Sequence, residues 1–196
     1  MIFSAKQAIE FFAVGYAKPL DRLSRLVNEG KLIRLKRDLY CDDLETPPPS
    51  IAPILLQPSY LSFEYALSAH SLIPEAVYSY TSATTGKGKS KDFVTVFGTY
   101  TYMDIPLKVY PYGIGFVSNG NFNYYLASPE KALLDRLYKV PGQVRKKDIE
   151  SLLFDDLRLE LDDLVNLDHA FVMEIAPLYG SQTLLCFSNW LAKEKR

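Results

Sequence analysis

Three consecutive prolines, Pro47-Pro48-Pro49, constrain this chain more than any other feature. A run of this kind cannot carry a strand or a helix through, and in isolation it forms a stiff polyproline spacer. The surrounding stretch, DDLETPPPS over 42–50, therefore predicts a break between two parts. Residues 1–45 form the first part, 46–50 the linker and 51–196 a larger second part. The alternative is that Pro47 to Pro49 pack as an ordered strap along the larger part.

The two parts differ in charge. Residues 1–40 hold eight basic and four acidic side chains, a net of +4, whereas the whole chain is −1, so the remainder carries −5. Such asymmetry is the expected footprint of a nucleic-acid-binding end joined to a part with another job. Within that end, the spacing predicts a helix over 19–29. Pro19 suits a first helical position, where its missing N–H has no partner to lose. Leu20, Leu23, Leu26 and Val27 recur at helical spacing on one face, and Gly30 ends the helix. Lys18, Arg22 and Arg25 share the opposite face. Residues 32–35 and 39–40 read as two short strands joined by the tip Lys36-Arg37-Asp38.

A helix followed by a β-ribbon with a basic tip is the layout of a winged helix-turn-helix. On that reading Lys18, Arg34, Lys36 and Arg37 contact phosphates of double-stranded DNA, and Arg22, Ser24 and Arg25 read base edges. The plainer reading is a solvated amphipathic helix and hairpin, and Glu29 on the face of Arg22 and Arg25 weakens the cationic stripe. Upstream, Ser4 with Gln7 makes a capping box for a bracing helix that carries Ala5, Ala8, Ile9, Phe12 and Ala13. Residues 14–18 leave no room for the further helix a full helix-turn-helix has, so either the domain is trimmed or the helix boundaries lie a few residues away.

The second part reads as α+β. Ser62 caps a helix carrying Phe63, Ala66, Leu67 and Ala69. Residues 77–127 are rich in Tyr, Phe, Val and Thr with period-two runs, which predicts a mainly antiparallel sheet. Asn119-Gly120 marks a hairpin turn. Ser128-Pro129-Glu130 opens a helix with three agreeing signals: N-cap serine, first-position proline and first-turn acid. From Pro141-Gly142 onward the pattern is helical to the end.

Signals for chemistry are sparse. Gly86-Lys87-Gly88-Lys89-Ser90 looks like a phosphate loop, but Ala83 occupies the position of the required first glycine and residues 93–97 read as strand rather than helix. His70 and His169 are far apart and lack a second ligand at helical spacing. Cys41 and Cys186 show no paired motif, so two buried reduced thiols are expected. No catalytic set, metal site or cofactor motif emerges, and the chain reads as a non-enzyme. No run of about eighteen apolar residues exists. The N-terminus lacks a signal-peptide pattern, so a cytoplasmic protein with no membrane partner is expected. Residues 148–168 hold eight acids against Arg158 alone, either a solvated helical face or a surface for a basic partner.

Tyr60-Leu61-Ser62-Phe63-Glu64-Tyr65-Ala66-Leu67-Ser68-Ala69-His70 and the residues following to Val77 resemble the signature of AbiEi-type antitoxins of abortive-infection, or type IV, toxin–antitoxin systems. Residues 81–87, 97–102 and 127–135 and Tyr179-Gly180-Ser181 follow in that family's order. Asp38 stands where the family's wing has a glycine, a departure that needs an aspartate with positive φ. The resemblance implies a phage-defence protein whose winged helix binds repeats in its own promoter and represses transcription. It further implies a second domain that counters a co-encoded nucleotidyltransferase toxin without a stable complex being assumed. Two other readings stay open: a nucleic-acid-processing enzyme with its site in residues 77–140, and a one-component regulator whose aromatic sheet senses a ligand.

Overall fold

A computed structural model describes residues 1–120, 122–142 and 144–194. The first element is a short strand, β1 (Ile2–Ser4), which runs into α1 (Ala5–Phe12). The expected capping box is present: the Ser4 hydroxyl accepts from the Gln7 N–H, and the Gln7 side chain accepts from the Ser4 N–H at 2.9 Å. Helix α2 (Pro19–Asn28) follows, with Pro19 at its start and Gly30 just past its end at φ +69°. Strands β2 (Ile33–Lys36) and β3 (Leu39–Cys41) complete an antiparallel sheet of order β1-β3-β2. The helices cover it through Phe3, Ala8, Leu23, Leu26, Leu32 and Tyr40. Leu20, expected on the buried face, is 58% exposed. It flanks the Leu23–Leu26 line at the edge of the buried face.

The expected polyproline spacer is instead the start of a helix, α3 (Pro48–Leu55). Pro48 and Pro49 fall among the first helical positions, whose N–H groups have no intrahelical partner, so their missing donors cost nothing there. Tertiary contacts hold the rest of this short helix. Ile51, Ala52 and Leu55 are at most 1% exposed and pack with Leu35, Leu39 and Cys41 on one side and Leu61, Tyr100 and Tyr102 on the other. The hydroxyls of Tyr100 and Tyr102 donate to the carbonyls of Pro48 and Ala52 at 3.1 and 2.6 Å. Pro48 to Ser50 thus open a helix whose later residues, Ile51, Ala52 and Leu55, sit in a shared core, closer to the ordered-strap alternative than to a free spacer.

Beyond it lie β4 (Ser59–Leu61), α4 (Phe63–Ala69), β5 (Ser79–Thr84), β6 (Lys91–Thr95), β7 (Gly98–Asp104), β8 (Ile114–Asn119) and β9 (Phe122–Ala127). The sheet order is β6-β7-β5-β4-β9-β8. The chain is mixed α+β, but the sheet is not antiparallel throughout: β5 runs parallel to β7, and β4 parallel to β9. Period-two alternation encodes a half-buried strand and says nothing about the direction of its neighbour. The β8–β9 hairpin turns where Asn119-Gly120 predicts, with Gly120 at φ +62°; residue 121 lies outside the described residues.

Helix α5 (Pro129–Tyr138) begins as its three signals require, the Ser128 hydroxyl accepting from the Lys131 N–H at 3.2 Å. The remainder is helical in short pieces: a π-helical turn at Ser151–Asp156, then α6 (Leu161–Val165), α7 (His169–Ile175) and α8 (Gln182–Glu194). These pack with α4 and α5 around Leu133, Leu134, Leu137, Leu153, Val172 and Phe187, all fully buried. No helix among the described residues is long and apolar enough to cross a membrane.

Candidate nucleic-acid interface and a buried ionic centre

The cationic residues picked out by sequence divide into two groups. Lys18, Arg25 and Arg34 are exposed, and none forms a salt bridge among the described residues. Ser24 and Arg34 come together, lining with Asn28 and Tyr40 a small groove between α2 and the β2–β3 hairpin. Arg37 projects from the hairpin tip, 89% exposed, with Asp38 3.5 Å away. Asp38 takes the left-handed conformation at φ +60°, as the tip geometry demands of it. Glu29 is answered locally: Lys31 hydrogen-bonds it at 2.8 Å and holds its carboxyl below the ordinary carboxylate range, with Arg22 and Arg25 adding to the effect.

Three of the expected contact residues, Lys36, Arg22 and Ser24, also bond or pack within the chain. Lys36 does not reach outward. Its Nζ donates to the Leu55 carbonyl at 2.5 Å and lies 5.7 Å from the Phe93 ring centre, tying β2 to the C-terminus of α3. The last carbonyls of a helix lack internal partners, and a lysine stem long enough to span the gap satisfies one of them. Arg22 is half-buried over the Tyr16 ring at 5.2 Å, and its Nε has no acceptor. Ser24 spends its hydroxyl proton within α2, on the Leu20 carbonyl at 3.0 Å.

The glycine–lysine loop after β5 does hold an anion, but the chain's own. The N–H groups of Lys87 and Gly88 donate to the Asp104 carboxylate at 2.8–3.0 Å. A nest of backbone donors already occupied by a carboxylate is a structural clamp. His70 and His169 bond backbone carbonyls, of Ala127 at 2.8 Å and Val165 at 3.0 Å. Cys41 and Cys186 are buried and unpaired with each other. Among the described residues no group of three metal-ligating side chains assembles.

Sequence reasoning missed the most concentrated chemistry in the molecule. Lys131 and Asp135, one helical turn apart on α5, are both completely buried and 3.0 Å apart. The three Nζ protons of Lys131 go to Asp135 Oδ1 at 3.0 Å, the Val109 carbonyl at 3.0 Å and the Tyr179 hydroxyl at 2.6 Å. Tyr179 in turn donates to Asp135 Oδ1 at 2.6 Å. Oδ2 accepts from Tyr60 at 2.8 Å and Ser62 at 2.7 Å. All donors of the ammonium and four acceptor positions of the carboxylate are thereby used. Burial holds the Lys131 ammonium below the usual lysine range, with Asp135 opposing, and raises Tyr60 and Tyr179.

The centre reorganises the start of α4. Ser62 occupies the N-cap position, but its hydroxyl is committed to Asp135, and Thr81 on β5 accepts from the Tyr65 N–H at 3.0 Å instead. Phe63, fully buried, sits at φ +53°, a conformation that costs a bulky residue on the order of 1–3 kcal/mol. Gly113 closes the other side: a Cβ there would lie 2.8 Å from Lys131 Cβ and 2.7 Å from Phe171 Cζ, at φ +65°. Gly113→Ala should therefore destabilise by about 1–3 kcal/mol. A thermal midpoint unchanged from wild type would show that α5 and α7 yield freely.

No protein-family model matches this chain. No curated protein matches it in sequence. The five side chains of the ionic centre all come from the segments that carry the antitoxin resemblance, at 60–77, 127–135 and 179–181. Those segments are thus united by a fully satisfied buried ion pair, an arrangement suited to fixing one packing of α4, α5 and the C-terminal helices.

Proposed function

We propose that this chain is a DNA-binding repressor whose first part acts as a winged helix-turn-helix, and that it serves as the antitoxin to a nucleotidyltransferase toxin of an abortive-infection pair. The observation that carries the DNA reading is the set of exposed cations Lys18, Arg25 and Arg34, without salt bridges among the described residues, beside the groove between α2 and β2–β3. Two consecutive helices joined by residues 13–18, with Gly15 at φ +78°, and a three-stranded sheet behind them support the same reading. The antitoxin role rests on the resemblance of the second part. The partners are then double-stranded DNA of the chain's own promoter and, functionally, the toxin.

Displacement of Lys36 sharpens the expectation. Arg34→Ala and Arg37→Ala should each weaken binding to all sequences and reduce the salt slope by about 1, and Arg25→Ala should cost about 1–3 kcal/mol of discrimination between the promoter repeat and scrambled DNA. Lys36→Ala should leave both quantities unchanged. Gel-shift titrations at several salt concentrations read these effects, and equal wild-type affinity for promoter and scrambled DNA would defeat the proposal. Co-expression of the full chain with the toxin encoded beside it tests the second role: restored growth is expected, and undiminished toxicity would overturn it.

A further inference from the structure

One cavity in the second part has the size and lining of a small-molecule site and takes no part in the function proposed above. It has a volume of about 420 Å³ and opens between α3, the start of β4 and the β8–β9 hairpin. That volume lies in the range that accommodates drug-sized ligands. None of its lining residues belongs to α1, α2 or the first sheet.

Its walls are flat and uncharged. Tyr110 and Tyr125 present rings, Pro53 and Pro58 present pyrrolidine faces, Ile114 completes the apolar lining, and Tyr60, 1% exposed, lies behind them as the floor. Tyr60 and Tyr110 are 5.2 Å apart at 59°, a tilted pair that keeps both rings fixed. The Tyr60 hydroxyl is committed to Asp135 at 2.8 Å, so Tyr60 offers the cavity no polar group. The Ser59 hydroxyl is likewise spent, on the Leu56 carbonyl at 2.5 Å. Three polar groups at the site have no hydrogen-bond partner among the described residues: the Gln57 amide and the hydroxyls of Tyr110 and Tyr125. Burial pushes the Tyr110 hydroxyl up to about 12, so it stays a donor across the working range of pH. No lysine, arginine, aspartate or glutamate lines the space.

Ring faces for stacking, unspent donors and acceptors, and no charge together select the ligand. We propose that this cleft binds a neutral, flat heteroaromatic molecule of nucleoside size. Its ring stacks on the tyrosine walls, and its polar edge hydrogen-bonds to Gln57, Tyr110 and Tyr125. An ionised phosphate finds no cation in the lining, and a non-planar apolar molecule forgoes both the stacking and the edge contacts. The inference stands apart from DNA binding, so a gel shift and a ligand titration fail independently.

Calorimetric titration and saturation-transfer NMR of the full chain with adenosine and thymidine test it, with AMP and cyclohexylmethanol alongside. Saturable binding of at least one nucleoside is expected, with AMP and cyclohexylmethanol weaker. Tyr125→Ala, on a half-exposed side chain, should lose about tenfold in affinity, within the loss expected of one base–aromatic stack, and leave the thermal midpoint near that of wild type. Tyr110→Phe, which removes one hydroxyl, should lose about threefold. Failure of both nucleosides to saturate overturns the proposal. So does affinity unchanged in both variants, or cyclohexylmethanol binding as tightly as the nucleosides.

Discussion

Between pH 10 and pH 11 this protein should lose about 3 kcal/mol of stability. Tyr60, Tyr102 and Tyr179 are at most 4% exposed, and burial raises each above the ordinary tyrosine value of 10.0, with Asp135 adding to Tyr60 and Tyr179. Above pH 10 the unfolded chain releases these three protons while the folded chain retains them. The folded state then binds more protons, and stability falls as pH rises, by ~1.4 kcal/mol per group per pH unit. The stabilisation is complete well below pH 10, where both states keep the protons. Since a domain holds about 5–15 kcal/mol in total, unfolding should be advanced by about pH 12. Lys131 acts with the opposite sign. Between its depressed folded value and 10.5 the unfolded chain binds a proton that the folded one does not, so its contribution grows with pH until about 10.5. Urea denaturation at a series of pH values, followed by circular dichroism, reads the sum. A stability that stays level through pH 11.5 would mean that the three hydroxyls reach water.

Asp135→Ala should cost about 3–5 kcal/mol, the range for breaking a buried ion pair from one side. The variant leaves the Lys131 ammonium without its counter-charge and the hydroxyls of Tyr60 and Ser62 without their acceptor. Lys131→Met should cost less. Asp135 would keep its three hydroxyl donors, Tyr60, Ser62 and Tyr179, and three charge-assisted hydrogen bonds offset much of the lost cation. Urea midpoints at pH 7 give the order directly. Equal losses would show that charge pairing, not hydroxyl donation, holds the carboxylate. A loss below about 1 kcal/mol for Asp135→Ala would show that water enters and replaces it.

The buried ionic centre marks where legibility stops. The helix at Ser128-Pro129-Glu130, the capping box at Ser4 and the positive φ of Asp38 and Gly120 were readable because each depends on residues within a few positions of one another. The mixed α+β class followed from where the apolar period changes. In contrast, Ser62 carries every local mark of a capping serine, yet its hydroxyl serves a carboxylate 73 residues away. Lys36 sits at the tip of a basic hairpin, yet it serves a helix end 19 residues on. The same prolines that stop a strand also begin α3, and Tyr100 and Tyr102 decided between the two.

The chain's own letters determined the starts of α1, α2 and α5, the turn at Asn119-Gly120, the strand-rich character of residues 77–127 and the cationic character of its first forty residues, because those follow from steric and periodic rules acting over one or two turns. Tertiary structure alone decided which strands lie parallel, which lysines leave the surface and which four side chains surround one buried carboxylate. Those outcomes depend on desolvation: a charge taken from water must find whichever partners the fold brings within about 3 Å, and no local pattern records who they are.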